Sequence, residues 1–558
     1  THGERLMIFP GIGWYFADMY VNPQNDEEIY GLGVRLAHSK DGGKTFNIIG
    51  GEVRHINPSA AEGLHLDHCE MWINPQNPDH LALGNDGGLY ISYDGGAHWT
   101  HYNNIPAGEF YDITTDYQTP YQIYGGTQDD ATVFGPAREW NPRFNDPWQY
   151  LWIDAWYGGD GCQTLIDPDD PNTVYFSMQH AAVQRRDLRT GKSVYAGPKL
   201  TGKLKSQFNS NFITPYILSP HSSHTLYLAG NYVLRSTNRG DSWFSVSEDL
   251  SLSADSTKKA LAAGAIAESS LQKDLIYVGT DRGGFWVTEN GGANWEERSS
   301  GLPNAYIRSI FPSNHDSHRV YISLNGMNYD DLSNHLFMSD DRGITWKSIT
   351  ANLPNETANV IYEDPKFPDV LYAGLYRGVY ISLNRGENWQ LLGDNLAATC
   401  IADIELKDED LLIGTHGRGI YKMNIAPLYH FLENQTNKET NYLFSPPPAY
   451  RPESHDTHRN INYQTVTKVP LTFWLAQPAV CTLKVMKENK TIWEKELSGQ
   501  TGYNQYRWDL VVEKEESDLP YFIHYEKFIS NGQYQLVLEL PQEMKTDRDN
   551  LETELIVK

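Results

Sequence analysis

Short runs of alternating apolar and polar residues fill most of the chain, and turn-forming clusters separate them. Residues 69–102 set the frame: CEMWINP, the turn QNPDH, LALG, the loop NDGG, LYISYD, a second turn and HWTHY. Alternation over four to eight residues, bounded by Gly, Pro, Asn and Asp, predicts four short antiparallel strands. The same frame lies on ADMYVNPQNDEEIYGLG, YDITTDYQTPYQIYGG, CQTLIDPDDPNTVYFS, YILSPHSSHTLYLAG and VIYEDPKFPDVLYAGL. Weaker copies start near Ala265, Ile307 and Cys400, giving about nine units between residues 14 and 424.

An octet punctuates these units: SKDGGKTF, SYDGGAHW, STNRGDSW, TENGGANW, SDDRGITW and SLNRGENW, beginning at residues 39, 92, 236, 288, 339 and 382. Its Asp or Asn accepts backbone N–H groups across a tight turn, its Gly supplies a positive φ, and its Trp or Phe offers an apolar plate. The octet resembles the Asp-box, or BNR, repeat of sialidases, sortilin-type receptors and tandem-propeller xyloglucanases. The resemblance implies one four-stranded β-propeller blade per unit, with the box a device of the fold and without catalysis from Asp41, Asp94 or Asp341. The units near 110–138 and 153–190 lack the box. Propellers close with about 4–8 blades, so nine units fit one ring poorly. The resemblance to sortilin-type receptors implies a larger ring of ten. That to tandem seven-bladed relatives implies one seven-bladed ring plus blades of a second propeller, which is the favoured expectation.

Past Asn424 the pattern stops, and residues 425–465, with three consecutive prolines, read as a surface linker. Strands resume in TKVPLTFWLA, CTLKVMKEN, KTIWEKEL, NQYRWDLV, GQYQLVLEL and ETELIVK. Residues 466–558 therefore predict a β-sandwich. The expected organisation is propeller blades over 1–424, the linker over 425–465 and the sandwich over 466–558. The tail resembles the immunoglobulin- or fibronectin-type module closing many bacterial secreted propeller proteins. With the linker, it resembles the C-terminal portion of bacterial proteins labelled BNR-repeat glycosyl hydrolases or sortilin-like.

Forty-five basic against seventy-one acidic residues give a net charge of −26. That composition argues against nucleic acid, whose binding rests on basic footprints. No run of about 18 apolar residues predicts a membrane span. The first residues lack an initiator Met and the basic-then-apolar pattern of a signal peptide. A processed or truncated chain is expected, from a secreted, periplasmic or cell-surface protein. The four cysteines are scattered without a CxxC pair, which excludes a zinc ribbon or thioredoxin-like motif.

Strand direction groups the candidate chemistry. In an antiparallel meander the start of the first strand and the end of the second share one face of the disc, opposite the Asp-box turn. His65, Asp67 and His68 precede or begin a first strand, and Asp86 follows a second. Gln128, Asp129 and Asp130 end a second strand, and Asp160 precedes a first. Asp281, Tyr376 and His416 sit in the corresponding loops of later units, and Trp156 and Tyr157 lie near the same rim. Asp67 and Asp160 share a column, as do Cys69 and Cys162, whereas Glu70 aligns with Asp18 and Asp112 as a repeated feature of the blades. Because side chains alternate along a strand, His65 and Asp67 face together and His68 faces away.

A glycosidase needs two carboxyl groups about 5–5.5 Å apart for retention or 6.5–9.5 Å for inversion, one with a raised pKa. Asp67, Asp86, Asp129 and Asp160 are the candidates for that pair. His65, His68, Gln128, Asp130, Trp156, Tyr157, Asp281, Tyr376 and His416 are candidates for ligand contact. The three arginines and Tyr/Glu pair of sialidases have no match, nor do the catalytic-Asp motifs of xyloglucanases. The first reading is thus a glycan-recognising propeller, and a glycoside hydrolase if it is an enzyme. Its alternative is a non-catalytic, sortilin-like propeller for a peptide or protein, although the cysteine-rich modules of such receptors are missing. Another propeller half, N-terminal to this chain, is a further partner. No cofactor is expected; were a divalent metal bound, His65 and Asp67 would hold it.

Overall fold

The computed structural model describes residues 15, 17–50, 64–102, 105, 107–137, 147–152, 159–252, 260–393, 396–433, 441–449, 468–515, 525–544 and 550–557. Within them, residues up to 424 form nine antiparallel sheets, each a meander in chain order. Their inner strands are Asp18–Asn22, His68–Ile73, Phe110–Thr115, Thr164–Ile166, Tyr216–Ser219, Ala263–Glu268, Tyr306–Pro312, Ala358–Glu363 and Cys400–Lys407. Most sheets have four strands; the third gains a short parallel strand, Gly159–Asp160, and the ninth has three.

Local chemistry explains each meander. The first hairpin is capped by a side chain accepting an N–H two residues on, as with Asn22 and Gln24, Asn74 and Gln76, Asp167 and Asp169, or Asp364 and Lys366. These are Asx turns, which reverse the chain without a further residue's help. In the octets, Ser39 Oγ accepts the Gly43 N–H at 2.9 Å and Asp41 Oδ1 accepts the Thr45 N–H at 2.8 Å, with Gly43 at φ 80°. The octet Trp does more than pack. Trp243, Trp295, Trp346 and Trp389 each donate their indole N–H to the preceding sheet, at Ala196, Val246, Arg298 and Ile349 carbonyls.

The third to ninth sheets close on themselves. Inner strands pack in sequence from the fifth sheet to the ninth, and Cys400–Lys407 then packs against Phe110–Thr115 of the third. The third meets the fourth, and Tyr216 of the fifth bonds Gln163 of the fourth. Apolar cores fill the spaces between successive sheets. The architecture is therefore a seven-bladed ring. The first two sheets lie outside it as a two-bladed arc with their own core of Tyr30, Leu32, Leu36, Met71, Leu81 and Leu83.

Residues Met423–Lys558 belong mainly to a second compact unit. Sheets of three and four strands, with a two-stranded ribbon of Val511–Glu515 and Tyr525–Phe528, enclose a core that includes Leu471, Phe473, Leu483, Trp508, Leu536 and Leu555. Within the segment expected to be a surface linker lie a helix, Ala426–Glu433, and a short strand, Tyr442–Leu443. Asn424 caps the helix by accepting the Ala426 N–H, and Tyr429 is buried. Four closely spaced apolar residues (Leu428, Tyr429, Phe431 and Leu432) suffice for this short turn of helix, a pattern overshadowed in sequence by the prolines that follow.

Candidate functional site

Two loops of the arc meet two loops of the ring. From the arc come His65 and Asp67, ahead of the strand His68–Ile73, and Asp86, after the strand Leu81–Asn85. From the ring come Gln128, Asp129 and Asp130, after the strand Gln122–Thr127, and Asp160. Carboxylate oxygens of Asp67, Asp86 and Asp129 lie within 4.8 Å of one another. Asp160 adjoins them: its Oδ1 accepts the Asp129 N–H at 2.8 Å and its Oδ2 accepts from Gln179 at 2.8 Å.

The backbone is shaped for this meeting. Asp67 and Asp129 are left-handed, at φ 61° and 59°, a conformation that Asp tolerates better than most residues. Strand pairing of Asp130–Ala131 with Gly159–Asp160 carries Asp160 to the cluster. Gly161 permits it, since a Cβ there would lie 2.0 Å from the Ala131 carbonyl oxygen. Gly126 plays the same part against Cys162.

Electrostatics follow from crowding. Burial pushes the Asp86 carboxyl up to about 8, reinforced by the charge and hydrogen bond of Asp129 and by Asp67. Burial and then Asp129 raise Asp67 as well. Burial raises Asp160, and the Asp129 N–H opposes it. Burial disfavours charge on His65, but Asp130 at 3.3 Å overrides this and carries it up to about 9. A cationic His65 thus borders a carboxyl set that cannot ionise fully at neutral pH.

The other sequence candidates scatter. His68 is buried, receives a hydrogen bond from Asn85 and is held down to about 4 by burial and by His65. Gln128 accepts from the Tyr111 hydroxyl at 2.9 Å, and Tyr111 leads to His416, which pairs with Glu109 at 2.7 Å. Asp281 accepts the Leu261 N–H in the sixth sheet, and Tyr376 is exposed in the eighth; among the described residues no contact joins either to the cluster. Trp156 and Tyr157 lie outside the described residues. Among the described residues the set that could hold a metal ion is Asp67, Asp86 and Asp129; His65 faces Asp130 instead. Sequence reasoning passed over Tyr111, Glu109 and Gln179. Gln179 ends a second strand just as Asp86 and Asp129 do, so the same rule would have found it.

A separate cavity of about 680 Å³ opens between the fourth and fifth sheets, lined by Arg185, Lys192, Arg239 and Asp241 among others. Its guanidinium groups are engaged internally, Arg185 with Asp241 and Arg239 with Asp167.

The family model Sortilin-Vps10, described as "Sortilin, neurotensin receptor 3", matches residues 283–441, which are thus sortilin/Vps10-like. Vacuolar protein sorting/targeting protein 10 of Neosartorya fischeri is 30% identical over 137 residues, 23% of this chain. The protein of the same name from Aspergillus fumigatus matches equally. The chain spans only 8% of the length of these fungal relatives. Among solved structures, PorZ, a surface component of the type-IX secretion system of Porphyromonas gingivalis, aligns at TM-score 0.44 and 12% identity over 97% of this chain and 70% of its own. A GH74 enzyme of Niastella koreensis aligns at TM-score 0.25 and 14% identity over 73% of this chain and 76% of its own. No helix among the described residues is long and apolar enough to cross a membrane.

Proposed function

We propose that the carboxyl cluster where arc and ring loops meet binds a neutral glycan and hydrolyses a glycosidic bond, in a protein that works outside the cell or at its surface. Asp86 is the proton donor, and Asp129, with Asp67 beside it, supplies the partner carboxylate. What supports this reading is the single observation that Asp86, crowded against Asp129 and Asp67, is pushed up to about 8 and so keeps its proton at neutral pH. Asp160, held by Gln179 and the Asp129 amide, positions Asp129.

A hydrolysis and binding screen against neutral polysaccharides tests the assignment. Asp86→Asn is expected to lower kcat by about 10²–10⁴, and the activity falls as pH rises through about 8 and Asp86 gives up its proton. Hydrolysis that survives both Asp67→Asn and Asp160→Asn would remove the assignment.

The Sortilin-Vps10 match over residues 283–441 favours a second reading, peptide or protein binding by the ring. Tyr376 and His416 lie in that segment. Peptide binding that Tyr376→Ala weakens, with no glycan bound, would select it.

A further inference from the structure

Each blade of the ring is built from its own stretch of chain, so among the described residues only the isolated bridge of Glu109 with His416 pairs backbone of the first blade with the last. Closure depends on what passes between the strands Phe110–Thr115 and Cys400–Lys407. At one end Gly108 exchanges backbone hydrogen bonds with Gly417 and Gly419, and Glu109 pairs with His416. Further along, three carboxyl groups meet. Asp112 and Asp403 hydrogen-bond each other, and Asp403 Oδ2 accepts the Ile113 N–H at 3.1 Å. Glu405, two residues on and therefore on the same side of its strand, accepts from Thr115 Oγ1 at 3.4 Å.

A bond between two carboxyl groups requires a proton, because an ionised pair has only acceptors. The positive charges nearby, Arg308 beside Asp112 and Asp403 and Lys407 beside Glu405, favour the ionised forms but are outweighed by burial. Arg308 reaches in from the seventh sheet and donates to the Tyr111 carbonyl at 3.3 Å. Lys407, on the strand of Asp403, lies over Tyr117 with its Nζ 5.2 Å from the ring centroid. Cys162, Cys400, Tyr117 and Tyr216, the other titratable groups nearby, all have pKa values raised first by burial and so stay neutral.

We infer that the ring is closed by a proton-dependent seam, in which Asp112, Asp403 and Glu405 must stay partly protonated for the first and last blades to hold together. Burial lifts Asp403 to about 6 and Glu405 to about 8, the latter helped by the Asp403 charge. Both are raised above the unfolded carboxyl range of about 4, so the folded seam binds more protons than the unfolded chain. Its stability is then fullest in mild acid and is lost as pH rises from about 4 through 8.

The test is hydrogen–deuterium exchange of the full chain at pH 5.5 and 8.5, corrected for intrinsic rates and read on peptides covering 107–116 and 400–407. Wild type is expected to open about tenfold or more often at the higher pH, because a tenfold difference in proton affinity between closed and open seam changes the opening equilibrium by the same factor. Asp403→Asn with Glu405→Gln keeps the acceptors, removes two of the three titrating groups and leaves Asp112, and should clearly reduce that dependence. Should the pair fold poorly, Glu405→Gln alone is expected to halve the dependence on a logarithmic scale. His416→Gln should leave it in place. A pH-independent seam in wild type, a dependence undiminished in the carboxyl variants, or one abolished only by His416→Gln would overturn the inference.

Discussion

The arc and the ring are made from one repeat, and they differ in what covers it. Two residues before the first-hairpin turns of five sheets stand Tyr20, Leu165, Ile217, Ala267 and Phe311, each packed against the core it shares with the following sheet. In the second sheet that place belongs to Trp72, which is 50% exposed. One residue nearer the turn, Ile73, Ile166 and Leu218 join the core shared with the preceding sheet, whereas Val21 in the first sheet is 50% exposed. Blade pattern alone therefore does not bury a residue. The same column is core where a neighbouring blade stands against it and surface where none does.

Substitutions along those columns should separate the two regions. The largest effect is expected at Glu363 of the ring, fully buried and accepting from Ser313 Oγ, the Asn314 N–H and the Tyr321 hydroxyl. Glu363→Ala leaves those donors unpaired and should cost about 3–5 kcal/mol in chemical denaturation. Phe311→Ala, which removes a ring seated 4.7 Å from that of Tyr362, should cost about 3 kcal/mol. Trp389→Phe breaks the indole bond to Ile349 at 2.7 Å and removes part of a buried ring, and should cost about 2 kcal/mol. Trp72→Ala in the arc should change stability by less than about 0.5 kcal/mol. A Trp72 effect as large as that of Phe311 would mean that the arc's outer face is covered in solution.

Much of this organisation was legible because its causes are local. An Asp, a Gly and a Trp at fixed spacing mark a turn wherever they occur, and strand polarity then sends Asp67, Asp86, Asp129 and Asp160 toward one kind of end. Which ends would meet was not legible. The arc faces the ring through loops, and Gly126 and Gly161 reveal their purpose only once Cys162 and Ala131 lie against them. Asp112 shows the limit well. In sequence it matches Glu70 and reads as a repeated feature, yet Glu70 is exposed while Asp112 meets Asp403 from a strand almost three hundred residues away. The indole bonds of the octets were missed for a related reason, since their acceptors are backbone carbonyls that carry no sequence mark.

The central claim is that arc and ring meet in one carboxyl cluster that shares a proton. Crystal structures at pH 5.5 and pH 9 test it most directly. Asp86 and Asp129 are expected within hydrogen-bonding distance at pH 5.5 and drawn apart at pH 9, when Asp86 has lost its proton and the like charges repel. Carboxyl groups far apart at both values, with arc and ring loops out of contact, would contradict it.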